Sequence, residues 1–163
     1  MCAILDANVV SELWEASGTP AGQGFRLAVE SGRVRLVVAG SQLKSELDAA
    51  SRRMGPWLQQ LRLSGKLSKP DDALDGRVDS CTEEVRARPP NGADACTSDD
   101  HHIIALAQLS GARLLYTNDQ KLTSDFGNNR LIDAPRGKIY STRVTADFSP
   151  ARKRLLARAD LCH

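Results

Sequence analysis

The amino-acid sequence predicts one α/β domain built around a mainly parallel β-sheet. Three short apolar segments, at residues 1–5, 34–39 and 113–117, have the length and aliphatic content of buried strands. Between them lie longer segments whose apolar residues recur at helical spacing. Strands that alternate with helices are typical of a parallel sheet covered by helices. A chain of 163 residues is long enough to bury one hydrophobic core.

The predicted elements follow from their boundary residues. Asn8, Ser41 and Ser98 are the predicted N-terminal caps of three helices. The Gly55–Pro56 pair is expected to end the second of these, and Gly111 is expected to end the third. Further helices are predicted over residues 24–31, 57–67, 71–88 and 151–161, and short strands at 131–132 and 138–140.

The composition is that of an ordinary globular protein. Hydrophobic residues make up 41% and charged residues 26%, and the net charge of +2 does not by itself indicate a nucleic-acid binder. No apolar segment has the length of a membrane span, and no secretory signal pattern is present. The four cysteines show no CxxC pair. We therefore expect a cytoplasmic protein with reduced thiols.

Acidic residues follow the predicted strands. Asp6 comes directly after the first strand, and Asp119 comes after the strand at residues 113–117. Asp100 lies in the first turn of the preceding helix, and Glu46 lies on the helix that follows the strand at 34–39. Ligands of open parallel sheets bind outside the carboxyl ends of the strands. Each acid alone also suits a helix N-terminus electrostatically, so the prediction depends on the set.

Carboxylates that converge on one point repel one another unless a cation is present. Hard divalent cations prefer oxygen ligands, and a bound Mg²⁺ or Mn²⁺ can activate water for phosphoryl displacement. Asp125 is a candidate for an additional ligand, and Asn8 and Thr117 are candidates for orienting the ligands. The sequence therefore predicts a metal-dependent phosphodiesterase site.

Four segments resemble, in order, the motifs of PIN-domain nucleases. Residues 4–13 resemble the opening motif, residues 41–47 the second motif, with Glu46 as its acid, and residues 100–107 the third. Residues 111–119 resemble the strand that leads into the fourth motif, and the acid at Asp125 is similar to one that often follows it. The resemblance spans roughly positions 1–135.

This resemblance implies a three-layer α/β/α fold and a Mg²⁺- or Mn²⁺-dependent endoribonuclease. It implies a nuclease domain over residues 1–144, with residues 145–163 as a basic C-terminal tail or helix. The implied metal ligands are Asp6, Glu46, Asp100 and Asp119, where Asp100 is preferred to Asp99 by the spacing of the helix that follows. Many members are toxins of bacterial toxin–antitoxin pairs, which implies an antitoxin partner and a homodimer.

Basic residues supply candidates for RNA contact. His101 and His102 lie at the start of the helix beside the predicted metal site, and Arg152, Lys153 and Arg154 form a basic cluster near the C-terminus. Phosphate contacts of this kind carry no sequence information. Zinc is disfavoured because Cys96 and the two histidines lack a second ligand pair.

Two other functions remain open at this point. One is an aspartyl-phosphate phosphatase, but that chemistry usually needs a second acid two residues after the first, where Asn8 stands. The other is a PIN-like module that holds RNA or a protein without cutting.

Overall fold

The computed structural model describes residues 1–14, 18–67 and 72–161. Within these ranges the strands are β1 (Cys2–Leu5), β2 (Arg35–Leu36), β3 (Leu114–Tyr116) and β4 (Lys138–Tyr140). The α-helices are α1 (Pro20–Glu30), α2 (Ser41–Ala50), α3 (Met54–Leu63), α4 (Asp72–Arg86), α5 (His101–Ser110), α6 (Gln120–Phe126) and α7 (Pro150–Leu155). A 3₁₀ helix covers Ala7–Leu13.

The four strands form one sheet in the order β2-β1-β3-β4, and every pair in it is parallel. Ala3 of β1 is in register with Leu36 on one side and Leu114 on the other. Parallel neighbours require crossover connections, and the helices supply them. The sequence-based prediction of an α/β/α fold with a mainly parallel sheet is confirmed.

The centre of the sheet is buried on both faces. All residues of β1 and β3 are buried, which explains why these segments are continuously apolar rather than alternating. Helix α5 is buried from His102 to Ala107. Phe25, Tyr116 and Tyr140 pack together with ring centroids 4.8 to 5.3 Å apart. The carboxyl ends of β1 and β3 therefore emerge from a rigid core.

Helix α1 packs with its backbone directly against the 3₁₀ helix. A Cβ atom on Gly22 would lie 2.2 Å from the carbonyl oxygen of Glu12. Pro20 occupies the first turn of α1, and Thr19 caps the helix by accepting from the Gly22 amide at 2.9 Å. This close packing fixes the segment that carries Glu12, a residue of the site described below.

The predicted cap at Ser41 is wrong. The residue before α2 is Gly40, which has a φ of +87°. The carboxylates of Asp75 and Asp79 on α4 accept from the amides of Gly40 and Ser41 at 2.9 and 2.8 Å. Acids from a neighbouring helix thus do the capping that a local hydroxyl was expected to do.

Three further helix boundaries differ from prediction. Ser98 is not the cap of α5, because that helix begins at His101 after Asp100, and the Ser98 hydroxyl donates to Asp125 instead. The segment after β1 is capped by Asp6, whose side chain accepts from the amide of Asn8, so Asn8 is not the cap. Helix α3 includes Gly55 and Pro56, because proline in a first helical turn lacks only an amide that would have no partner there.

The strand predictions were partly correct. β4 matches the prediction, whereas β2 contains only two residues, although Val37 still donates to the carbonyl of Ala3 at 2.8 Å. Residues 131–132 form a turn, since both amides donate to the carbonyl of Asn128 at 3.1 and 2.9 Å. Helix α6 was not predicted.

The C-terminal segment packs on the rest of the domain. Helix α7 is shorter than the predicted helix over residues 151–161. The carbonyl of Leu161 accepts from the Arg113 amide at 3.2 Å, and the carbonyl of Ala146 accepts from the Ala21 amide at 2.9 Å. The side chains of Leu156 and Leu161 are buried. These contacts bring residues from both sides of position 145 into one packed unit.

The lengths of the helices and the state of the cysteines bear on two of the predictions. In the described ranges, no helix is both long and apolar enough to cross a bilayer. Cys81 and Cys96 are free thiols, whereas Cys2 is disulfide-bonded. The expectation of fully reduced thiols is therefore not met at Cys2. Cys162, for which the same was expected, lies outside the described residues.

Gly22 and Gly76 allow a matched test of the α1 packing. Gly22→Ala should lower the free energy of unfolding by roughly 1–3 kcal/mol, because the added methyl group meets backbone at 2.2 Å. Gly76→Ala on α4 meets nothing within 4 Å and should raise it by roughly 0.5–1 kcal/mol. Urea denaturation measures both. If both substitutions changed the free energy of unfolding in the same direction, the close packing of α1 would be contradicted.

Candidate functional site

The first two acids of the site are joined through one hydroxyl. Asp6 follows β1 and Thr117 follows β3, and these strands are neighbours in the sheet. The Thr117 hydroxyl donates to Oδ2 of Asp6 at 2.6 Å and accepts from the Asp119 amide at 3.0 Å. Asp119 also caps α6 by accepting from the Leu122 amide at 2.7 Å. Asp6 and Asp119 are therefore held at the same end of the sheet.

Asn8 completes this group. Its amide nitrogen in the backbone donates to Oδ1 of Asp6 at 3.2 Å, and its side chain donates to the Thr117 hydroxyl at 3.4 Å. Its Oδ1 accepts from the backbone of Asn118 at 3.4 Å. The structure thus brings Asn8 and Thr117 to Asp6, in the positions needed for the orienting role predicted from sequence.

Asp100 lies at the start of α5, close to the other predicted acids. Burial is the largest cause that raises the pKa of Asp100 to about 6, and the negative charges of Asp6, Glu46, Asp119 and Asp99 contribute to the same shift in that order. Burial likewise raises the pKa of Asp6, against the hydrogen bonds from Thr117 and Asn8. The four acids thus share one electrostatic environment, although they come from four separate segments.

His102 is buried beneath this cluster, with 2% of its surface exposed. Its Nε2 lies 3.0 Å from Oε2 of Glu46, but in the described residues neither ring nitrogen makes a hydrogen bond of ordinary geometry. Burial lowers the pKa of His102, and the charges of Glu46 and Asp6 oppose that effect. The predicted contact of His102 with RNA is wrong, because the ring does not reach the surface.

The acid set fits a divalent cation in donor type and charge. Within the described residues, no three His, Cys, Asp or Glu side chains are placed to hold one metal ion together. Magnesium usually binds one or two carboxylates directly and keeps several waters. A raised pKa among clustered carboxylates marks a site where a cation relieves repulsion. The residues therefore fit a partly hydrated ion rather than an all-protein cage.

Asp125 has a different place from the one predicted. It is 2% exposed, and its two oxygens accept five hydrogen bonds from the backbone and hydroxyl groups of Thr97 and Ser98, at 2.8 to 3.0 Å. Both oxygens are therefore engaged, which leaves Asp125 unsuited to bind metal. It ties α6 to the segment just before Asp100 and so positions that acid.

Glu12 is a central residue that the sequence-based reasoning missed. Its carboxylate accepts from the Tyr116 hydroxyl at 2.8 Å, from the Asn118 side chain at 2.7 Å, and from the hydroxyls of Thr142 and Thr19 at 2.5 and 3.1 Å. The signal in the sequence that could have identified Glu12 is its position as an acid between two apolar residues, Val10 and Leu13, which are buried. Glu12 connects the ends of β3 and β4 beneath the site.

A cavity of about 570 Å³, called the acid cavity below, lies beside Asp100 and Asp119, whereas Asp6 and Glu46 do not line it. Its lining combines three acids, two amides, one hydroxyl and two cations, which are Asp99, Asp100, Asp119, Asn118, Gln120, Ser98, Lys121 and Arg143. His101 lies at the nearby start of α5, with Nδ1 3.0 Å from the carbonyl oxygen of Asp99. Acidic and cationic side chains thus line the same open cavity.

Arg152, predicted to contact RNA, has its guanidinium engaged within the fold. Its guanidinium donates to the carbonyl oxygens of Ser141, at 3.1 Å from Nε, and Thr145, at 2.6 Å, and also to that of Asp147. It therefore organises the loop after β4. Lys153 lies over the Phe148 ring at 5.3 Å, and Arg154 is exposed on α7.

Comparison with known proteins gives no family. No protein-family model matches the chain, and neither curated proteins nor solved structures give a match.

Removal of the Glu12 charge tests the network beneath the site. Glu12→Gln should lower the free energy of unfolding by roughly 1–3 kcal/mol, because an amide cannot accept from all the donors that face it. Glu83→Gln removes an exposed acid on α4 and should change stability by less than about 0.5 kcal/mol. Urea denaturation compares them. Equal stabilities for the two variants would contradict the role of Glu12.

The raised pKa of Asp100 predicts a pH dependence of stability. A pKa that is higher in the folded state than in the unfolded state gives stability that is present near pH 4 and lost as pH rises through about 6. Without metal, Asp100→Asn should therefore be more stable than the wild type at pH 7.5, by about 1 to 2 kcal/mol because solvent screens this half-buried group.

Urea denaturation in EDTA at pH 4 and pH 7.5 measures this difference. The exposed Asp48 on α2 provides the control, since Asp48→Asn should show little change in its effect between the two pH values. A wild type that gains stability relative to Asp100→Asn as pH rises would contradict the repulsion among the acids.

Proposed function

We propose that this chain is a Mg²⁺- or Mn²⁺-dependent endoribonuclease. The observation that carries the proposal is the set of four acids at the carboxyl end of a parallel sheet, where the pKa of Asp100 is raised to about 6. A phosphodiester is itself negative, so this cluster would repel it without a cation. A site that needs a cation suits a negatively charged phosphodiester better than a neutral substrate. This supports hydrolysis of phosphodiesters.

The ion would lie among Asp6, Glu46, Asp100 and Asp119, bound directly by one or two of these carboxylates and otherwise by water. When bound, the metal lowers the pKa of a coordinated water and stabilises the charge that develops on the departing oxygen. The residues of the chain fix the geometry for this. Thr117 holds Asp6 and Asp119 in place, and Asp125 holds the segment before Asp100. His102 contacts Glu46 from the buried side.

The choice of RNA depends on the resemblance of residues 4–13 and 100–107 to PIN-domain motifs. The same resemblance supports a toxin of a toxin–antitoxin pair that acts in the cytoplasm, with an antitoxin partner and a homodimer as further proposals. An antitoxin that inserts a cationic side chain among the acids would suit their charge. A small reading frame beside the gene would support this partnership.

The nuclease proposal is tested by RNA cleavage. The purified protein should cut a labelled RNA with Mg²⁺ or Mn²⁺ and stop in EDTA. Asp6→Asn and Asp119→Asn should lower the rate by roughly 10²- to 10³-fold, the cost of removing one group that stabilises developing charge. Asp48→Asn is the matched control and should keep the wild-type rate.

Other outcomes would favour other functions. A rate retained in Asp6→Asn and Asp119→Asn would overturn the site assignment. Tight RNA binding without cleavage across a divalent-metal titration would favour a non-catalytic module. A labelled phosphoenzyme trapped at Asp6 would favour the phosphatase.

A further inference from the structure

Arg143 is carried by a loop that is fixed to the site. The Ser141 hydroxyl and the Thr142 amide both donate to Oδ1 of Asn118, at 2.8 and 2.9 Å. The Thr142 hydroxyl donates to Glu12 at 2.5 Å, and the Arg143 amide donates to the Ser141 hydroxyl at 3.2 Å. The backbone of Arg143 is therefore held beside Asn118, next to Asp119.

The guanidinium of Arg143 is not used by the fold. In the described residues it makes no ion pair and no side-chain hydrogen bond, and the residue is exposed on the wall of the acid cavity. Lys121 lies on the same wall and is also exposed. Arg152, by contrast, gives its guanidinium to three loop carbonyls. The guanidinium of Arg143 is thus free to bind an anion beside the acids of the cavity.

A second cavity of about 400 Å³ adjoins the first, and Arg143, Asn118 and Gln120 line both. We call it the side groove. Among the described residues its lining includes no acid. Gln120 and Ser124 offer polar groups there, and Val144, which is 96% exposed, offers an apolar surface. Arg143 therefore stands between the acid cavity and a groove in which it is itself the charged lining residue.

We propose that Arg143 binds the phosphate next to the one that is cleaved, in a single-stranded RNA that runs from the acid cavity into the side groove. The proposal rests on the nuclease function proposed above. A guanidinium matches a phosphate with two parallel hydrogen bonds and stays charged at any working pH. The side groove, whose described lining has no acid, suits one nucleotide, whose base edges and 2′-hydroxyl are free only in an unpaired strand.

Binding is measured separately from cleavage, by fluorescence anisotropy of a labelled single-stranded RNA. All variants carry Asp100→Asn, so that the RNA stays intact in Mg²⁺. Adding Arg143→Ala should weaken binding roughly 10-fold, the scale of one charge-assisted hydrogen bond. It should also reduce the slope of log affinity against log salt by about 0.7, the value for one phosphate on a single strand.

Two variants act as controls. Arg52→Ala removes the same charge from an exposed turn that lines neither cavity and should leave affinity and slope unchanged. Arg143→Lys keeps the charge, so it should keep the slope while losing part of the affinity. Ser124→Ala should weaken binding of the single strand and not of a duplex of the same sequence.

The outcomes separate this inference from the nuclease proposal. Equal effects of Arg143→Ala and Arg52→Ala, or binding of the duplex as tight as that of the single strand, would overturn the inference. A wild type that binds RNA through Arg143 but cleaves none with Mg²⁺ or Mn²⁺ would support the binding site and overturn the nuclease proposal.

Discussion

Repulsion among carboxylates is the constraint on which the rest of this structure depends. Asp6, Glu46, Asp100 and Asp119 come from four segments, and burial together with their mutual repulsion raises the pKa of Asp100 to about 6. Their placement is maintained by neutral hydrogen-bond donors and by packing rather than by nearby cations. The Thr117 hydroxyl, the Asn8 amide and the buried sheet each contribute to this. The fold thus accepts an electrostatic cost at one edge and offsets it through its apolar core.

Two other acids, the buried Asp125 and the half-buried Glu12, have the opposite role. Asp125 and Glu12 are surrounded by donors, and their carboxylates accept five and four hydrogen bonds. Acids with such a set of donors are structural connectors, since their oxygens are already satisfied. The larger number of donors distinguishes these two acids from Asp6, whose carboxylate accepts from Thr117 and Asn8.

Much of the fold and part of the site were predictable from sequence. Apolar segments that stop at an acid indicated β1 and β3, and the rule for parallel sheets then placed Asp6 and Asp119 at one edge. The predictions for Asp125 and His102 were wrong because their partners are distant in sequence, whereas the guanidinium of Arg152 binds carbonyls only 5 to 11 positions away. Asp125 bonds to residues 27 and 28 positions away, and Glu12 bonds to Thr142 across 130 positions. Local patterns carry no information on such contacts.

The same long separations have a consequence for synthesis of the chain. β1 pairs with β3, and Asp6 takes its hydrogen bond from a residue 111 positions later. A ribosome-bound chain that has exposed only its first hundred residues therefore has neither the Thr117 hydroxyl nor Asp119. The acid cluster does not exist until Asp119 has emerged from the ribosome. Any activity of the cluster is thereby delayed until β3 can join the sheet beside β1.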